Sequence, residues 1–371
     1  MRILMLAHKF LPSIGGIQIL TYNYARRLVQ RGHDVTILTS SFGKSPSREV
    51  TDGINIERFG KLDLPVSFPW YVSPRMLPAA LQSIGRFDLV HSFYYASFQA
   101  LTAAVASRLQ ARPFVLNPTF PAGSYRIDFY TQSVGRMVLN NANAILAQTE
   151  AEERVLSRYV SLGKIRRLPP GIDPERFEML PEPLAVKRKY GFREEDTVLL
   201  YVGHITNAKG IPELLHAFAY LTRRLEGLKL LLVGGGDIES TRQLAEDLRI
   251  ADRVGIAGYV PHESVREVYA VADLFVFPSH FEAFGMVLLE AAASGLPIVS
   301  TSVGCATELI SDGKNGYVMR RCDNSFADAC YTALTNPSFR TTAVERRSAI
   351  LRRYGWETLV DELESVYSQL A

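Results

Sequence analysis

Short, nearly continuous apolar runs alternate along the whole chain with segments in which apolar residues recur every three or four positions. Such runs are typical of parallel β-strands covered on both faces, and the intervening pattern is typical of helices. In the first half, strands are predicted at Ile3–Leu6, Val35–Thr39, Ile54–Phe59, Leu89–Ser92, Phe114–Leu116 and Ala144–Ala147. In the second half, they are predicted at Val198–Val202, Lys229–Val233, Val254–Ala257, Leu274–Phe277, Ile298–Ser300 and Tyr317–Met319. Two such sets predict an α/β fold with two doubly wound, Rossmann-like domains.

A proline-rich stretch marks the boundary between the two sets. Residues Leu168–Pro174 read Leu-Pro-Pro-Gly-Ile-Asp-Pro, and two further prolines follow closely. Because proline fixes φ and has no backbone N–H, an extended connector is predicted here. We expect one domain over residues 1–170 and a second over residues 171–354. Ligands of open α/β sheets bind beyond the carboxyl ends of the strands, so we expect a ligand cleft between the domains.

The last segment of the chain is predicted to be one amphipathic helix, Trp356–Leu370. Its apolar residues fall along one side and are Leu359, Leu363, Val366, Tyr367 and Leu370. A helix with a single apolar stripe buries that stripe against another element. We expect residues 355–371 to pack back on the N-terminal domain.

The composition fits a globular protein with two domains. The chain has 371 residues, of which 47% are hydrophobic and 21% are charged. No apolar run approaches the roughly 18 residues that a membrane-spanning helix requires. The first residues, Met1–Lys9, are too few and too soon charged for a signal peptide, and Cys305, Cys322 and Cys330 lack the spacing of a zinc site. We therefore expect a cytoplasmic protein.

Basic residues are concentrated in the first part of the chain. Residues 1–180 contain 21 Lys and Arg against 13 Asp and Glu, whereas the remaining residues contain 20 against 25. This excess fits a phosphorylated lipid as ligand, or peripheral contact with the anionic inner face of a membrane. It fits an arginine-rich solvated surface equally well. The basic residues are scattered and are not interleaved with aromatic residues, so nucleic acid is not an expected partner.

The most informative segment is Pro278–Pro297, which follows a predicted buried strand. A helix of about eleven residues is predicted to open near Gly285 and to stop at Gly295. Glu290 is the only charged residue between these glycines, so its carboxylate needs a partner. Because helical side chains lean toward the N-terminus, Glu290 is predicted to reach back toward Glu282.

The start of this helix predicts the kind of ligand. Free amides at Phe284, Gly285 and Met286 suit a phosphate, because they lie at the positive end of the helix dipole. Two carboxylates for hydroxyl groups, beside amide donors for a phosphate, indicate a nucleotide-sugar site. The alternative is a structural Glu290 whose charge is satisfied by a backbone group or an arginine.

This segment resembles the E-x7-E signature of retaining GT-B glycosyltransferases, and its setting is similar to glycosyltransferase family 4. Further matching pieces occur in the family's order through nearly the whole chain. They are Gly15-Gly16, Arg31–Val35, Pro170–Asp173, Val202-Gly203, Lys209-Gly210, Val233–Asp237, Gly258–Val260, Ala272-Asp273 and Gly313–Val318. The resemblance implies a GT-B fold with an acceptor-binding N-terminal domain and a donor-binding C-terminal domain. It also implies a transferase that uses a nucleotide sugar as substrate and has no cofactor.

The resemblance implies a role for each matching residue. Glu290 holds the donor ribose, Glu282 contacts hydroxyls of the donor sugar, and Lys209 grips the diphosphate as negative charge builds on it. The amides of Gly15 and Gly16 approach the donor phosphate or sugar. The other implied donor-binding positions are Gly203, Phe284, Gly285, Met286, Val287 and, beside the nucleobase, Tyr259 and Val260.

The chain departs from the family pattern at three places. His204 stands where relatives carry an arginine, and we expect it to support departure of the leaving group as a partly charged donor. Asn117 lies where many relatives have a histidine that touches the donor sugar. Asn117 or the nearby Thr119 is the expected substitute, and a purely structural role for either is the alternative. Cys305 stands where relatives have a second glycine, and it either narrows the donor pocket or fills a gap.

The resulting hypothesis is a retaining transferase that moves a hexose from a UDP- or GDP-sugar to a hydroxyl of a glycan or lipid-linked acceptor. No DxD-type cluster is evident, so no metal requirement is expected. A noncatalytic nucleotide-sugar-binding subunit is the main alternative, and a sugar-nucleotide epimerase is a third that the E-x7-E helix disfavours. The glycines at 234–236 lack the spacing of a dinucleotide fingerprint.

Overall fold

A computed structural model describes residues 1–13, 15–62, 72–119, 134–261 and 264–371. These residues form two compact units. The first contains Met1–Gly171 together with Trp356–Ala371, and the second contains Ile172–Gly355. Each unit has one twisted sheet of mainly parallel strands with helices on its faces, so the chain is an α/β protein with two Rossmann-like units.

The sheet of the first unit has eight strands in the order β3-β4-β2-β1-β5-β6-β7-β8. The strands are β1 Arg2–Ala7, β2 Asp34–Ser40, β3 Arg48–Thr51, β4 Ile54–Phe59, β5 Leu89–Phe93, β6 Phe114–Asn117, β7 Ala144–Ala147 and β8 Ile165–Arg167. All neighbours are parallel except β3, which pairs antiparallel with β4. Alternate residues of β1 belong to two separate apolar clusters, Leu4 and Leu6 to one and Ile3 and Met5 to the other. Both faces of the sheet are therefore covered.

Helices cover these two faces. Their bounds in the first unit are α1 Gly16–Gln30, α2 Met76–Ser83, α3 Phe98–Leu109, α4 Val134–Asn141 and α5 Glu150–Leu156. The C-terminal helix, Trp356–Leu370, has the predicted bounds and buries Leu359, Leu363 and Tyr367 in the cluster that contains Ile3 and Met5. This helix thus completes the first unit.

The sheet of the second unit has six parallel strands in the order β11-β10-β9-β12-β13-β14. The strands are β9 Thr197–Val202, β10 Leu228–Val233, β11 Val254–Gly258, β12 Leu274–Phe277, β13 Ile298–Thr301 and β14 Gly316–Met319. The helices are α6 Glu175–Glu178, α7 Pro183–Lys189, α8 Ile211–Leu221, α9 Ile238–Asp247, α10 Val265–Ala270, α11 Met286–Ala293, α12 Ala306–Leu309, α13 Asn324–Thr335 and α14 Ser338–Tyr354; the C-terminal helix is α15. One continuous apolar core lies within this unit.

The twelve predicted strands are all present, and each end lies within one residue of its prediction. Strands β3 and β8 were not predicted; both are short, rich in charge and at the edges of their sheet. Helix α11 is shorter than predicted, with eight residues, because the chain turns at Ser294 and Gly295 adopts a left-handed φ of +72°. Within the described residues, no helix is both long and apolar enough to cross a bilayer.

Candidate functional site

The beginning of helix α11 depends on a glycine. Gly285 precedes the helix with a left-handed φ of +85°, and a Cβ atom there would lie 3.2 Å from Cγ of Glu282. The glycine therefore lets the chain turn directly from the Glu282 loop into the helix. No side chain of the described residues caps this end. Because the first amides of an α-helix have no acceptor inside the helix, those of Met286 and Val287 suit an anion.

Glu290 lies on the buried side of the same helix. Its side chain is only 5% exposed, and the hydroxyl of Tyr269 donates a hydrogen bond of 2.7 Å to its Oε2. Burial raises the pKa of Glu290 to about 7, although the Tyr269 hydrogen bond and the charge of Arg176 act in the opposite direction. One partner of the Glu290 carboxylate is therefore the hydroxyl of Tyr269, a residue that the sequence reasoning did not identify.

Glu282 and Lys209 form an ion pair. The ammonium nitrogen of Lys209 lies 2.7 Å from Oε2 of Glu282, and the two side chains are 23% and 25% exposed. Lys209 also donates to the carbonyl of Phe281 at 3.3 Å, which ties the turn before α8 to the loop after β12. The structure therefore brings together two of the predicted catalytic side chains, next to the start of α11.

The third predicted catalytic residue, His204, follows the end of β9. Its side chain is exposed, and its backbone carbonyl accepts a hydrogen bond of 2.8 Å from the hydroxyl of Tyr201. Gly203 has a φ of +151°, and a Cβ atom there would lie 2.8 Å from the same hydroxyl. Gly203 thus leaves room for Tyr201, a buried tyrosine that holds the loop and that sequence reasoning also missed.

Cys305 contacts the backbone at the start of α11. Its backbone N–H donates to the carbonyl of Phe284 at 2.8 Å, and its Sγ lies 3.7 Å from the carbonyl oxygen of Gly285. The side chain is fully buried, and burial raises the pKa of the thiol well above its usual range. Of the two predicted roles, the complete burial of Cys305 favours filling a gap next to the start of α11, and it disfavours a reactive thiolate.

The predicted nucleobase contacts follow strand β11. Tyr259 is 72% exposed and Val260 is half-buried. The carbonyl of Gly258 accepts from the N–H of Gly234 at 2.8 Å, which fixes the end of β11 against the loop after β10. An exposed aromatic ring at the carboxyl end of a parallel strand suits stacking on a base. The ring of Tyr259 is therefore a candidate for the predicted contact with the nucleobase.

Gly15 and Gly16 lie at the start of helix α1 in the first unit. Gly16 is the first residue of the helix and is exposed. A Cβ atom at Gly15 would lie 2.7 Å from Oε1 of Gln18, which is itself buried. A Cβ atom at Gly16 would meet no atom within 4 Å, so only Gly15 is crowded, and there by the end of the Gln18 side chain. The absence of side chains at both residues leaves their backbone open to the predicted approach of a ligand.

The prediction that Asn117 contacts the donor sugar needs correction. The Asn117 side chain is 0% exposed, its Oδ1 is paired with Nε2 of His91 at 2.7 Å, and its Nδ2 donates to the carbonyl of Leu146 at 3.2 Å. Both ends of the amide are therefore used inside the sheet. Thr119 is also buried and accepts from Gln148 at 3.3 Å.

No group of three or more His, Cys, Asp or Glu side chains within the described part of the chain is arranged to hold a metal ion. The acidic residues of the site, Glu282 and Glu290, have Lys209 and Tyr269 among their partners. Lys209 and the positive end of α11 are two sources of positive charge for an anionic ligand at this site.

Glycosyltransferase family models match both halves of the chain. A family model described as Glycosyl transferases group 1 matches residues 185–348, and one described as Glycosyltransferase Family 4 matches residues 14–176. A D-inositol 3-phosphate glycosyltransferase of Mycobacteroides abscessus is 30% identical over 96% of this chain and 84% of its own length. Its counterpart from Acidothermus cellulolyticus is 28% identical over 95% of this chain and 85% of its own.

Solved structures share the fold along the whole chain. The Anabaena protein HepE, crystallised in complex with UDP, superposes with a TM-score of 0.84 at 19% identity and full coverage of both chains. HepE has also been crystallised with UDP-glucose. Sucrose-phosphate synthase of Thermosynechococcus elongatus superposes with a TM-score of 0.80 at 23% identity, with 100% of this chain and 98% of that one covered. At these identities the superpositions establish the fold.

Proposed function

Because this chain belongs to the group 1 glycosyltransferases of family 4 and has their GT-B fold, we propose that it transfers a hexose from a UDP- or GDP-sugar with retention at the anomeric carbon. The acceptor in this proposal is a hydroxyl of a glycan or of a lipid-linked molecule. The unit Ile172–Gly355 binds the donor, and the unit Met1–Gly171 binds the acceptor.

The observation that carries this proposal is the ion pair between Glu282 and Lys209 beside the start of α11. A nucleotide sugar needs a cation and amide donors for its diphosphate, and acceptors for the hydroxyls of its two sugars. Lys209 and the first amides of α11 supply the donors, and Glu282 and Glu290 supply the acceptors. The UDP and UDP-glucose complexes of the fold relative HepE support a ligand of this class.

The proposed reaction proceeds on one face of the sugar. The acceptor hydroxyl attacks the anomeric carbon from the side on which the diphosphate leaves. The bond between that carbon and the phosphate oxygen breaks with its electron pair on the oxygen, which then takes the proton of the acceptor. Lys209 and the α11 amides stabilise the growing negative charge, His204 donates to it, and Glu282 orients the sugar through its hydroxyls.

The proposed acceptor is anionic or membrane-linked because basic residues predominate in residues 1–180. The relatives named D-inositol 3-phosphate glycosyltransferase support a phosphorylated acceptor in this group. In this proposal the protein works in the cytoplasm and contacts the inner face of the membrane. Cosedimentation with vesicles that contain anionic lipid, compared with neutral vesicles, tests the contact.

A panel of UDP- and GDP-sugars, incubated with the protein and candidate acceptors, tests the activity. We expect transfer from one donor, with a product whose anomeric configuration, read from the proton NMR coupling constant, matches that of the donor. An inverted product would contradict the retaining mechanism. We expect the rate to be unchanged in excess EDTA, and strict dependence on added divalent metal would contradict metal independence.

A second candidate function is nucleotide-sugar binding without catalysis. It is favoured by the commitment of Asn117 to the interior, at the place where many relatives have a sugar-binding histidine. A protein of this kind would bind a nucleotide sugar but release no nucleoside diphosphate with any acceptor. Measurement of nucleoside diphosphate release across the donor panel separates the two functions.

A further inference from the structure

Tyr269 lies fully buried on helix α10 and points its hydroxyl at helix α11. The hydroxyl oxygen is 2.7 Å from Oε2 of Glu290 and 3.4 Å from the carbonyl oxygen of Val287. A phenol has one hydrogen to donate, and the shorter distance and the charged acceptor both direct it to Glu290. The ring is held in turn by Phe275, with 5.9 Å between the ring centres.

A buried tyrosine constrains the glutamate more strongly than an exposed one can. A glutamate side chain has three rotatable bonds, and a carboxylate that binds two neighbouring hydroxyls must hold one orientation. Tyr269 has two such bonds and no solvent around it, so its hydroxyl has a fixed position. The hydrogen bond transfers that fixed position to Oε2 of Glu290.

We propose that Tyr269 is a positioning residue for nucleotide binding, which holds the Glu290 carboxylate ionised and oriented to accept hydrogen bonds from the ribose hydroxyls. This inference rests on the proposed function, in which Glu290 receives the donor ribose. It adds a residue of helix α10 to the residues already described at the site.

The electrostatics of the pair act in the same direction. Burial raises the pKa of Glu290 to about 7, whereas the hydrogen bond from Tyr269 on α10 and the charge of Arg176 on α6 lower it. Loss of the hydroxyl therefore raises the pKa of Glu290 further. At neutral pH a smaller fraction of Glu290 would carry the charge that makes it a strong acceptor.

Tyr269→Phe, compared with the unchanged protein by titration calorimetry, tests the inference. The probes are UDP and GDP, each with its 2′,3′-dideoxy analogue, and the nucleotide that binds more tightly is used. We expect the variant to bind the ribonucleotide about tenfold more weakly at neutral pH, because a hydrogen bond to a charged group is lost. Affinity for the dideoxy analogue should be unchanged, and the loss for the ribonucleotide should shrink toward about pH 9.

Two further variants complete the design. Glu290→Gln should show the same selective loss, and the double variant should lose no more than Glu290→Gln alone, because both changes act on one interaction. Tyr317→Phe, which removes a hydroxyl from strand β14 of the same unit, should bind both nucleotides normally. Equal loss of both nucleotides in Tyr269→Phe, or full affinity for the ribonucleotide, would overturn the inference.

A variant that retains the ring and hydroxyl keeps the test valid if Tyr269→Phe does not fold. Placing 3-fluorotyrosine at position 269 by amber suppression makes the phenol a stronger donor. We expect the pH at which ribonucleotide affinity falls to move downward, and an unmoved profile would count against the positioning role. Failure of the unchanged protein to bind either UDP or GDP would instead reject the proposed function itself.

Discussion

Nζ of Lys209 lies 2.7 Å from Oε2 of Glu282, although the two residues belong to loops that follow different strands, β9 and β12. An isolated, partly exposed ion pair contributes only about 0–1 kcal/mol to stability. The pair therefore adds little to the stability of the fold, and we propose that its position beside the start of α11 serves ligand binding. In the proposed complex, Lys209 contacts the diphosphate and Glu282 contacts the hydroxyls of the donor sugar.

Lys209→Ala should lower kcat by about a hundredfold or more, because it removes a charge that stabilises the leaving diphosphate. Glu282→Gln should raise the KM for the donor and lower kcat less strongly. The matched control is Lys189→Ala, which breaks a 3.0 Å pair with Glu267 elsewhere in the same unit and should change neither constant. Activity in Lys209→Ala equal to that of Lys189→Ala would contradict the role of Lys209.

Glu290→Gln should stabilise the protein without ligand while it weakens donor binding. The folded-state pKa of about 7 lies above the ordinary value of 4.5, so the native state holds its proton longer than the unfolded chain. The unchanged protein therefore loses stability relative to the variant as pH rises from about 4.5 to 7, reaching about 1–3 kcal/mol above that range. Urea unfolding of both proteins across this range measures the difference.

The exposed Glu239→Gln serves as the control for this prediction, since its carboxylate lies on the surface of α9. Its stability should follow that of the unchanged protein at every pH. A Glu290→Gln variant that is less stable than the unchanged protein near pH 8 would contradict the account of Glu290 as a buried carboxylate kept for a ligand.

His204→Ala should lower kcat/KM by about tenfold, because a side chain at the end of β9 no longer donates to the leaving phosphate. His204→Arg should retain activity, since it restores the cation that relatives carry. Steady-state kinetics with the donor as varied substrate measure both. His216→Ala, an exposed histidine of α8, is the control. An unchanged kcat/KM in His204→Ala would remove this histidine from the mechanism.

Arg31→Ala should loosen the C-terminal helix from the first unit. The Arg31 guanidinium contacts Glu357, Asp361 and Glu364 of α15 at 2.6, 2.5 and 2.5 Å, and His33 reaches Glu364 at 2.6 Å. We expect the free energy of unfolding to fall by about 1–2 kcal/mol at low salt and by less at high salt, because Glu357 and Asp361 are exposed.

Hydrogen exchange along Trp356–Leu370 measures this loosening directly, and we expect it to become faster in Arg31→Ala. Arg48→Ala, which breaks a single 3.4 Å pair with Glu57 in the same unit, should leave exchange in this helix unchanged. Equal exchange in the two variants would contradict the role of Arg31 in holding the C-terminal helix against the first unit. The contacts of Arg31 and His33 with the C-terminal helix give the Arg31–Val35 motif a structural role that the family resemblance did not supply.

The strand pattern was predictable because each long strand is buried on both faces and is therefore apolar throughout. Edge strands lack this signal: β8 consists of Ile165, Arg166 and Arg167, and both arginines are exposed. Pairing with β7 alone makes it a strand. An apolar pattern reports burial, so it misses elements that are held mainly by backbone hydrogen bonds.

The candidate site was predictable only as far as local sequence defines it. The helix start at Gly285 and the two glutamates follow from one continuous segment. The partners of those glutamates do not, because Tyr269 and Lys209 reach them from other elements of the fold. The error at Asn117 has the same origin, since its acceptor and donor contacts, His91 and Leu146, lie on the two neighbouring strands.

A crystal structure of the protein with its donor, or with the nucleoside diphosphate of that donor, tests the central claim most directly. We expect the ribose hydroxyls within hydrogen-bond distance of Glu290, and the diphosphate against Lys209 and the first amides of α11. A nucleotide bound elsewhere, with Glu290 contacting only Tyr269 and other protein groups, would contradict the account.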